Sequence, residues 1–137
     1  MPSKLNPYIS FNGNAKEAVE FYKTVFGGEL TTSTFKEGGM PVDESEANKL
    51  MHAMLVAPNG MTLMASDTPN HMSYSPGTNI SISLSGSDEA ELKGYWDKLV
   101  EGATIAQPLT AAPWGDTFGM LTDKFGIGWM VNIAGKK

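Results

Sequence analysis

The segment His52–Met64 recurs without a gap 66 positions later as Phe118–Met130. Four of its thirteen positions are identical, pairing Met54 with Met120, Leu55 with Leu121, Gly60 with Gly126 and Met64 with Met130. A chain of 137 residues that repeats a unit of this size is built from two half-modules. Each copy alternates its side chains toward a glycine turn and away from it, the pattern of two strands joined in a hairpin. A duplicated module is expected to set its halves around a shared cleft, where a ligand site would sit.

The upstream parts repeat more loosely. Gly13–Gly28 opens on a capping residue, spaces Ala18, Val19, Tyr22, Val25 and Phe26 at three and four, and stops at a glycine pair. That spacing predicts an amphipathic helix. Ser87-Asp88-Glu89 opens a second, with Leu92, Tyr95, Trp96, Leu99 and Val100 on one stripe and Gly102 as its stop. Tyr22, Phe26 and Gly28 lie 74 positions before Trp96, Val100 and Gly102. Tyr8–Asn12 and Asn79–Ser85 alternate polar with apolar residues ahead of the helices and predict half-buried strands. A further strand is expected at Leu30–Lys36 in the first half and a weak one at Thr104–Ala106 in the second. The fold class is therefore α+β, two βαβββ modules forming a curved mixed sheet around a cleft. One domain, 1–137, is expected, with module one at about 4–67, a linker at 68–77 and module two at about 78–134.

Composition removes several classes of function. No cysteine is present, which excludes disulfides, thiolate catalysis and sulfur-rich zinc sites. A net charge of −5 without a basic run argues against nucleic acid as a partner, and the acidity serves solubility. No apolar stretch approaches the roughly 20 residues needed to cross a bilayer. The Met1-Pro2-Ser3-Lys4 start lacks the apolar core of a signal peptide, so a cytoplasmic protein without membrane partners is expected. Three turn-rich segments, Glu37–Glu46, Ser66–Gly77 and Gln107–Asp116, read as long loops of the kind that cover clefts.

Several motifs together resemble a known family: Asn6-Pro7-Tyr8-Ile9-Ser10-Phe11 with Gly13-Asn14, Gly39-Met40-Pro41, His52-Ala53, Leu63-Met64-Ala65-Ser66-Asp67, Thr122-Asp123-Lys124-Phe125-Gly126, and Gly128-Trp129-Met130-Val131-Asn132-Ile133. Nearly the whole chain, in the right order, is similar to the PhnB-like branch of the vicinal oxygen chelate superfamily, which includes glyoxalase I, extradiol dioxygenases and bleomycin-resistance proteins. The resemblance implies the paired-module fold and relatives that dimerise, so a homodimer is expected. It leaves the activity open, because such folds host lyases, dioxygenases, epimerases and binders.

Glyoxalase-like members hold a divalent ion with one His, Gln or Glu from the first and last strands of each repeat. Transferred to this chain, those places fall on Pro7 or Tyr8, on Met64, on Asn79 or Ser81, and on Met130. Thioethers and small hydroxyls do not make a site for a hard or borderline dication, so neither metal nor cofactor is expected. Alternation on the hairpins sends Leu63, Ala65, Trp129, Val131 and Ile133 under the helices. It turns His52, Met54, Met64, Phe118, Met120 and Met130 toward the cleft. On the first strand the same alternation turns Tyr8, Ser10 and Asn12 outward, whereas alignment on the following helix would turn Pro7, Ile9 and Phe11 outward. The alternation is preferred, because a polar row under a helix is costly to desolvate.

The ligand-binding candidates are His52, Met54, Met64, Trp114, Phe118, Met120 and Met130, with Trp114 a possible indole lid. Such a lining suits a small hydrophobic or aromatic molecule. His52 is the titratable candidate for acid or base work, set against the plainer role of bonding a carbonyl at the cavity edge. A second enzymatic possibility is a non-standard metal site pairing His52 with Asp67, although Asp67 before Thr68-Pro69 reads first as a turn former. His71 is expected in solvent, and Met40-Pro41 either caps the cavity or pins its loop. No glycine-rich loop follows a first strand in a doubly wound pattern, so a methyl-donor site, a function sometimes attached to relatives, is not expected.

Overall fold

The repeat seen in the sequence is reproduced bond for bond in the backbone. At the first hairpin Ala57 N donates to Met61 O and Gly60 N to Ala57 O; at the second, Asp123 N donates to Ile127 O and Gly126 N to Asp123 O. Gly60 and Gly126 both adopt positive φ, 92° and 87°, as this turn requires. The computed structural model describes residues 3–39, 43–69, 72–77 and 79–135. The chain divides between Pro76 and Gly77 into two compact units.

In the first unit β1 (Tyr8–Phe11), α1 (Ala15–Phe26), β2 (Glu29–Thr34), β3 (Leu50–Val56) and β4 (Thr62–Asp67) follow in order. The strands form one sheet in the order β1-β4-β3-β2, with β1 parallel to β4 and the other pairs antiparallel. The second unit repeats this with β5 (Ser81–Gly86), α2 (Glu89–Leu99), β6 (Thr104–Ala111), β7 (Thr117–Thr122) and β8 (Gly128–Ile133), in the order β5-β8-β7-β6. The two four-stranded mixed sheets, each with one helix, are the expected βαβββ pair.

Each helix covers one face of its sheet. On α1, Ala15, Ala18, Val19, Tyr22 and Val25 are buried as the spacing requires, and Phe21 joins them while Phe26 is only half-buried. Beneath lie Ala53, Leu55, Leu63 and Ala65. On α2 the buried stripe is Leu92, Trp96 and Leu99, over Leu84, Leu121, Trp129, Val131 and Ile133. The Trp96 ring needs a gap in the sheet, and Gly119 supplies it. A Cβ there would stand 2.8 Å from Trp96 Cη2 and 2.9 Å from Leu109 Cα. On β1, Phe11 is buried while Tyr8 and Ser10 are exposed, so the register follows the alternation.

The helix starts are held differently. Asp88 caps α2 locally, its carboxylate accepting from Glu91 N. Asn14, at the N-cap position of α1, makes no capping bond with its side chain. Its place is taken from across the fold by Asp67 at the end of β4, whose Oδ1 accepts from Gly13 N at 2.8 Å and Ala15 N at 3.0 Å.

Two segments differ from expectation. The strand foreseen as Thr104–Ala106 continues to Ala111, so the loop before β7 is short. Pro108 hid this continuation, but β6 is an edge strand, where a residue without an N–H is tolerated. In the segment after β2, Thr34 and Glu37 bond reciprocally, Thr34 N to Glu37 Oε1 and Glu37 N to Thr34 Oγ1. The Thr34 donors hold the Glu37 carboxyl below the usual carboxylate range. The acidic stretch beyond forms a short 3-10 helix at Glu44–Glu46, in which Glu46 is buried. Met40, Pro41 and His71 lie outside the described residues. Among the described residues no helix is long and apolar enough to cross a membrane.

Candidate functional site

The face of each sheet away from its helix carries the candidate residues. On the first sheet the pairings Thr31↔Met54, Met54↔Met64 and Tyr8↔Met64 make a row across four strands. The adjoining row runs through Ser33, His52, Ser66 and Ser10, with Ser33 opposite His52 and Ser66 opposite Ser10. His52 is half-buried, its ring 6.1 Å from that of Tyr8. His52, Met54 and Met64 thus share one face, as the alternation requires.

On the second sheet the matching row is Gln107, Met120, Met130 and Ser83, and the next is Thr110, Phe118, Asn132 and Ser85. Met130 therefore opposes Ser83, which takes the position that Tyr8 holds beside Met64. Ser81 lies one pair along, opposite Gly128, and Asn79 precedes the strand. At the places where a metal-binding relative would carry its ligands, this chain presents Tyr8 with Met64 in one unit and Ser83 with Met130 in the other. Neither pair supplies the imidazoles or carboxylates that a divalent oxygen-chelating ion requires, so this donor set does not fit one. Among the described residues, no three His, Asp or Glu side chains gather into a possible metal site.

The pairing of His52 with Asp67 is ruled out by geometry. His52 lies on the open face, whereas Asp67 is buried on the helix side with both oxygens engaged. Oδ1 accepts from Gly13 N and Ala15 N, and Oδ2 accepts from Leu50 N at 2.9 Å. Asp67 is neither a turn former nor a free base; it ties the start of α1 and the start of β3 to the end of β4.

A concave site forms at the β6 edge of the second sheet. Its volume is about 300 Å³, and its walls include Gln107, Thr110, Trp114, Phe118 and Met120, together with the Ala111–Pro113 turn. Two register shifts in β6, between Ile105 and Gln107 and between Gln107 and Thr110, set these polar side chains opposite Met120 and Phe118. A regular strand would have sent Gln107 to the same side as Ile105, which pairs with Leu121 on the helix side. Trp114 stands 61% exposed, edge-on to Phe118 with ring centroids 5.5 Å apart. The turn that carries it is closed by Ala112 N bonding to Asp116 O and Gly115 N to Ala112 O. Asp116 is fixed in turn, its Oδ2 accepting from Asn132 Nδ2 and its Oδ1 from Gly135 N.

Of the seven candidates, Trp114, Phe118 and Met120 thus line one cavity, and Met130 lies beside Met120 on the next strand. Sequence reasoning missed Gln107 and Thr110, which it placed in a loop. The β-branched Thr104, Ile105 and Thr110 were the available signal, and Pro108 outweighed it.

The model of the family described as 3-demethylubiquinone-9 3-methyltransferase matches residues 3–132. Protein PA1353 of Pseudomonas aeruginosa is 36% identical, with a TM-score of 0.83 over 98% of this chain and 100% of that one. The PhnB protein of Bacillus cereus is 27% identical, with a TM-score of 0.75 over 96% of this chain and 100% of its own. A glyoxylase/bleomycin resistance protein/dioxygenase domain from Frankia shares the fold at 15% identity, with a TM-score of 0.65 over 98% of this chain and 93% of that one. The duplicated module, its strand order and the matched length together lead to one assignment: the chain belongs to the family described as 3-demethylubiquinone-9 3-methyltransferase, in the fold it shares with the PhnB protein and the glyoxylase/bleomycin resistance protein/dioxygenase domain.

Proposed function

We propose that this protein binds a small hydrophobic or aromatic molecule, without a metal ion, in the cavity at the β6 edge of its second unit. The observation that carries this reading is the convergence of Trp114, Phe118 and Met120 on a hollow of about 300 Å³. That volume is at the lower end of the range for ligand sites and admits a molecule of two or three rings. Aromatic walls and an adaptable thioether favour flat apolar ligands. The metal-polarised chemistry of glyoxalase-like relatives has no matching ligands here, as Met64 and Met130 stand at two of the four places.

The family's description names a methyl transfer, and the fold does not favour it. Only β1 with β4 and β5 with β8 pair in parallel, and neither sheet is the doubly wound parallel array whose glycine-rich first loop cradles a nucleotide-like cofactor. A second reading, acid–base catalysis by His52, draws on its place against Tyr8 and opposite Ser33 on the open face of the first sheet.

The cavity is tested with N-phenyl-1-naphthylamine, an uncharged probe that brightens in apolar surroundings. Fluorescence should rise and saturate at one probe per chain. Trp114→Ala should weaken the probe about tenfold, the value of one lost aromatic wall, while leaving thermal stability nearly unchanged because the indole is mostly exposed. A probe that fails to brighten, or that binds the variant as tightly, would count against the reading.

A further inference from the structure

We infer that the ligand of this cavity is uncharged and carries a hydrogen-bond donor on its edge, a hydroxyl or ring N–H, which the Gln107 carboxamide accepts. The inference rests on the binding reading above and names the chemistry that the site selects.

Three observations carry it. First, none of the residues lining the hollow bears a formal charge. The carboxylate that follows the Trp114 turn, Asp116, is committed to Asn132 Nδ2 and Gly135 N. An anion would find no countercharge in the lining and a net charge of −5 on the chain, and a cation would lose hydration without a carboxylate to replace it. Second, β6 spends two register shifts to bring Gln107 opposite Met120 and Thr110 opposite Phe118. Such bulges re-aim side chains beside binding sites. Third, the carboxamide is oriented by its own neighbours. Gln107 Nε2 donates to Pro108 O at 3.3 Å and faces Thr110 Oγ1 at 3.5 Å, while Thr110 Oγ1 donates to Pro108 O at 3.4 Å. With the amide nitrogen and the threonine hydroxyl both directed at the Pro108 carbonyl, Gln107 Oε1 is the acceptor left over. Among the described residues it receives no hydrogen bond. Gln107 lines the same hollow as Phe118 and Met120 and pairs with Met120 across the strands, which puts its carboxamide in the wall around a flat molecule lying against those two side chains.

Three probes of one size separate the possibilities: 2-naphthol, with a donor; 2-methoxynaphthalene, with the same ring and no donor; and 2-naphthalenesulfonate, an anion. Each displaces N-phenyl-1-naphthylamine in a competition titration. The expected order places 2-naphthol about fivefold tighter than 2-methoxynaphthalene, the worth of one neutral hydrogen bond, and the sulfonate weakest. Gln107→Leu should bring 2-naphthol to within twofold of 2-methoxynaphthalene while leaving the latter unchanged. Gln107→Glu, which retains an acceptor oxygen, should preserve the preference for 2-naphthol. Equal binding of 2-naphthol and 2-methoxynaphthalene to the parent protein, or an undiminished preference in Gln107→Leu, would overturn the donor inference while the cavity reading stands. Failure of all three compounds, and of the fluorescent probe itself, would remove both.

Discussion

Asp67→Ala is expected to lower the unfolding free energy by about 4 kcal/mol, the sum of three buried or part-buried N–H groups left without an acceptor. The carboxylate is 3% exposed and accepts from Gly13 N, Ala15 N and Leu50 N, at 2.8–3.0 Å. It satisfies two donors around the start of α1 and stands where a helix terminus favours negative charge. The same group fixes the first residue of β3, two positions before His52. A domain of this size has about 5–15 kcal/mol in all, so the variant should lose roughly a quarter or more of its stability. Asp67→Asn retains the shape but offers only one acceptor oxygen, and should cost roughly half as much. Urea denaturation followed by far-UV circular dichroism measures both. A loss below 1 kcal/mol for the alanine variant would mean that the helix start finds other acceptors.

Asp123→Ala comes next, at about 3 kcal/mol. Asp123 Oδ1 accepts from Phe125 N at 2.8 Å and Ile127 N at 3.0 Å, closing the β7–β8 turn, while Oδ2 accepts from Trp129 Nε1 at 2.8 Å. The indole is among the largest fully buried side chains, so its N–H has no route to water once the carboxylate is gone. Trp129→Phe removes that donor and some volume together. The double variant Asp123→Ala/Trp129→Phe should therefore lose at least 1 kcal/mol less than the sum of the single changes. Strict additivity in urea melts would show that the indole bond contributes little. The effect should reach the cavity as well, since β7 carries Phe118 and Met120.

These two carboxylates show what kind of information the chain displays openly. The duplication, the two helices and the sidedness of the strands were legible because burial imposes a period, and periods are local. Leu63 and Ala65 against Met64, and Trp129 and Val131 against Met130, could be assigned to faces by alternation alone, and the structure has them so. Asp67 was misread because its partners lie 17 to 54 positions away; nothing beside it announces that it caps α1 in place of Asn14. The repeat itself gave no help, for 66 positions on stands Ile133, a buried apolar residue. The second half caps its helix from the adjacent Asp88 instead.

The cavity divides along the same line. Phe118 and Met120 followed from strand parity, and Trp114 from its place in a turn. Gln107 and Thr110 did not, because Pro108 made their segment read as a loop rather than a strand. Even read as a strand, a two-residue alternation counted from Ile105 would place Gln107 on the helix side, and the register shift between Ile105 and Gln107 overturns that count. Edge strands admit both the bulges and Pro108, so the least regular strand of the sheet is also the one that shapes the cavity.

The most direct measurement is a nuclear magnetic resonance titration of protein carrying ¹⁵N-labelled tryptophan and ¹³C-methyl methionine with N-phenyl-1-naphthylamine. Trp114, at the cavity, is distinguished from Trp96 beneath Gly119 and from Trp129, held by Asp123. Binding in the cavity should move the Trp114 indole and the Met120 methyl together, saturating at one probe per chain, while the Trp129 indole stays in place. Trp114 and Met120 signals that remain unmoved as the probe is added would contradict a ligand site at the β6 edge.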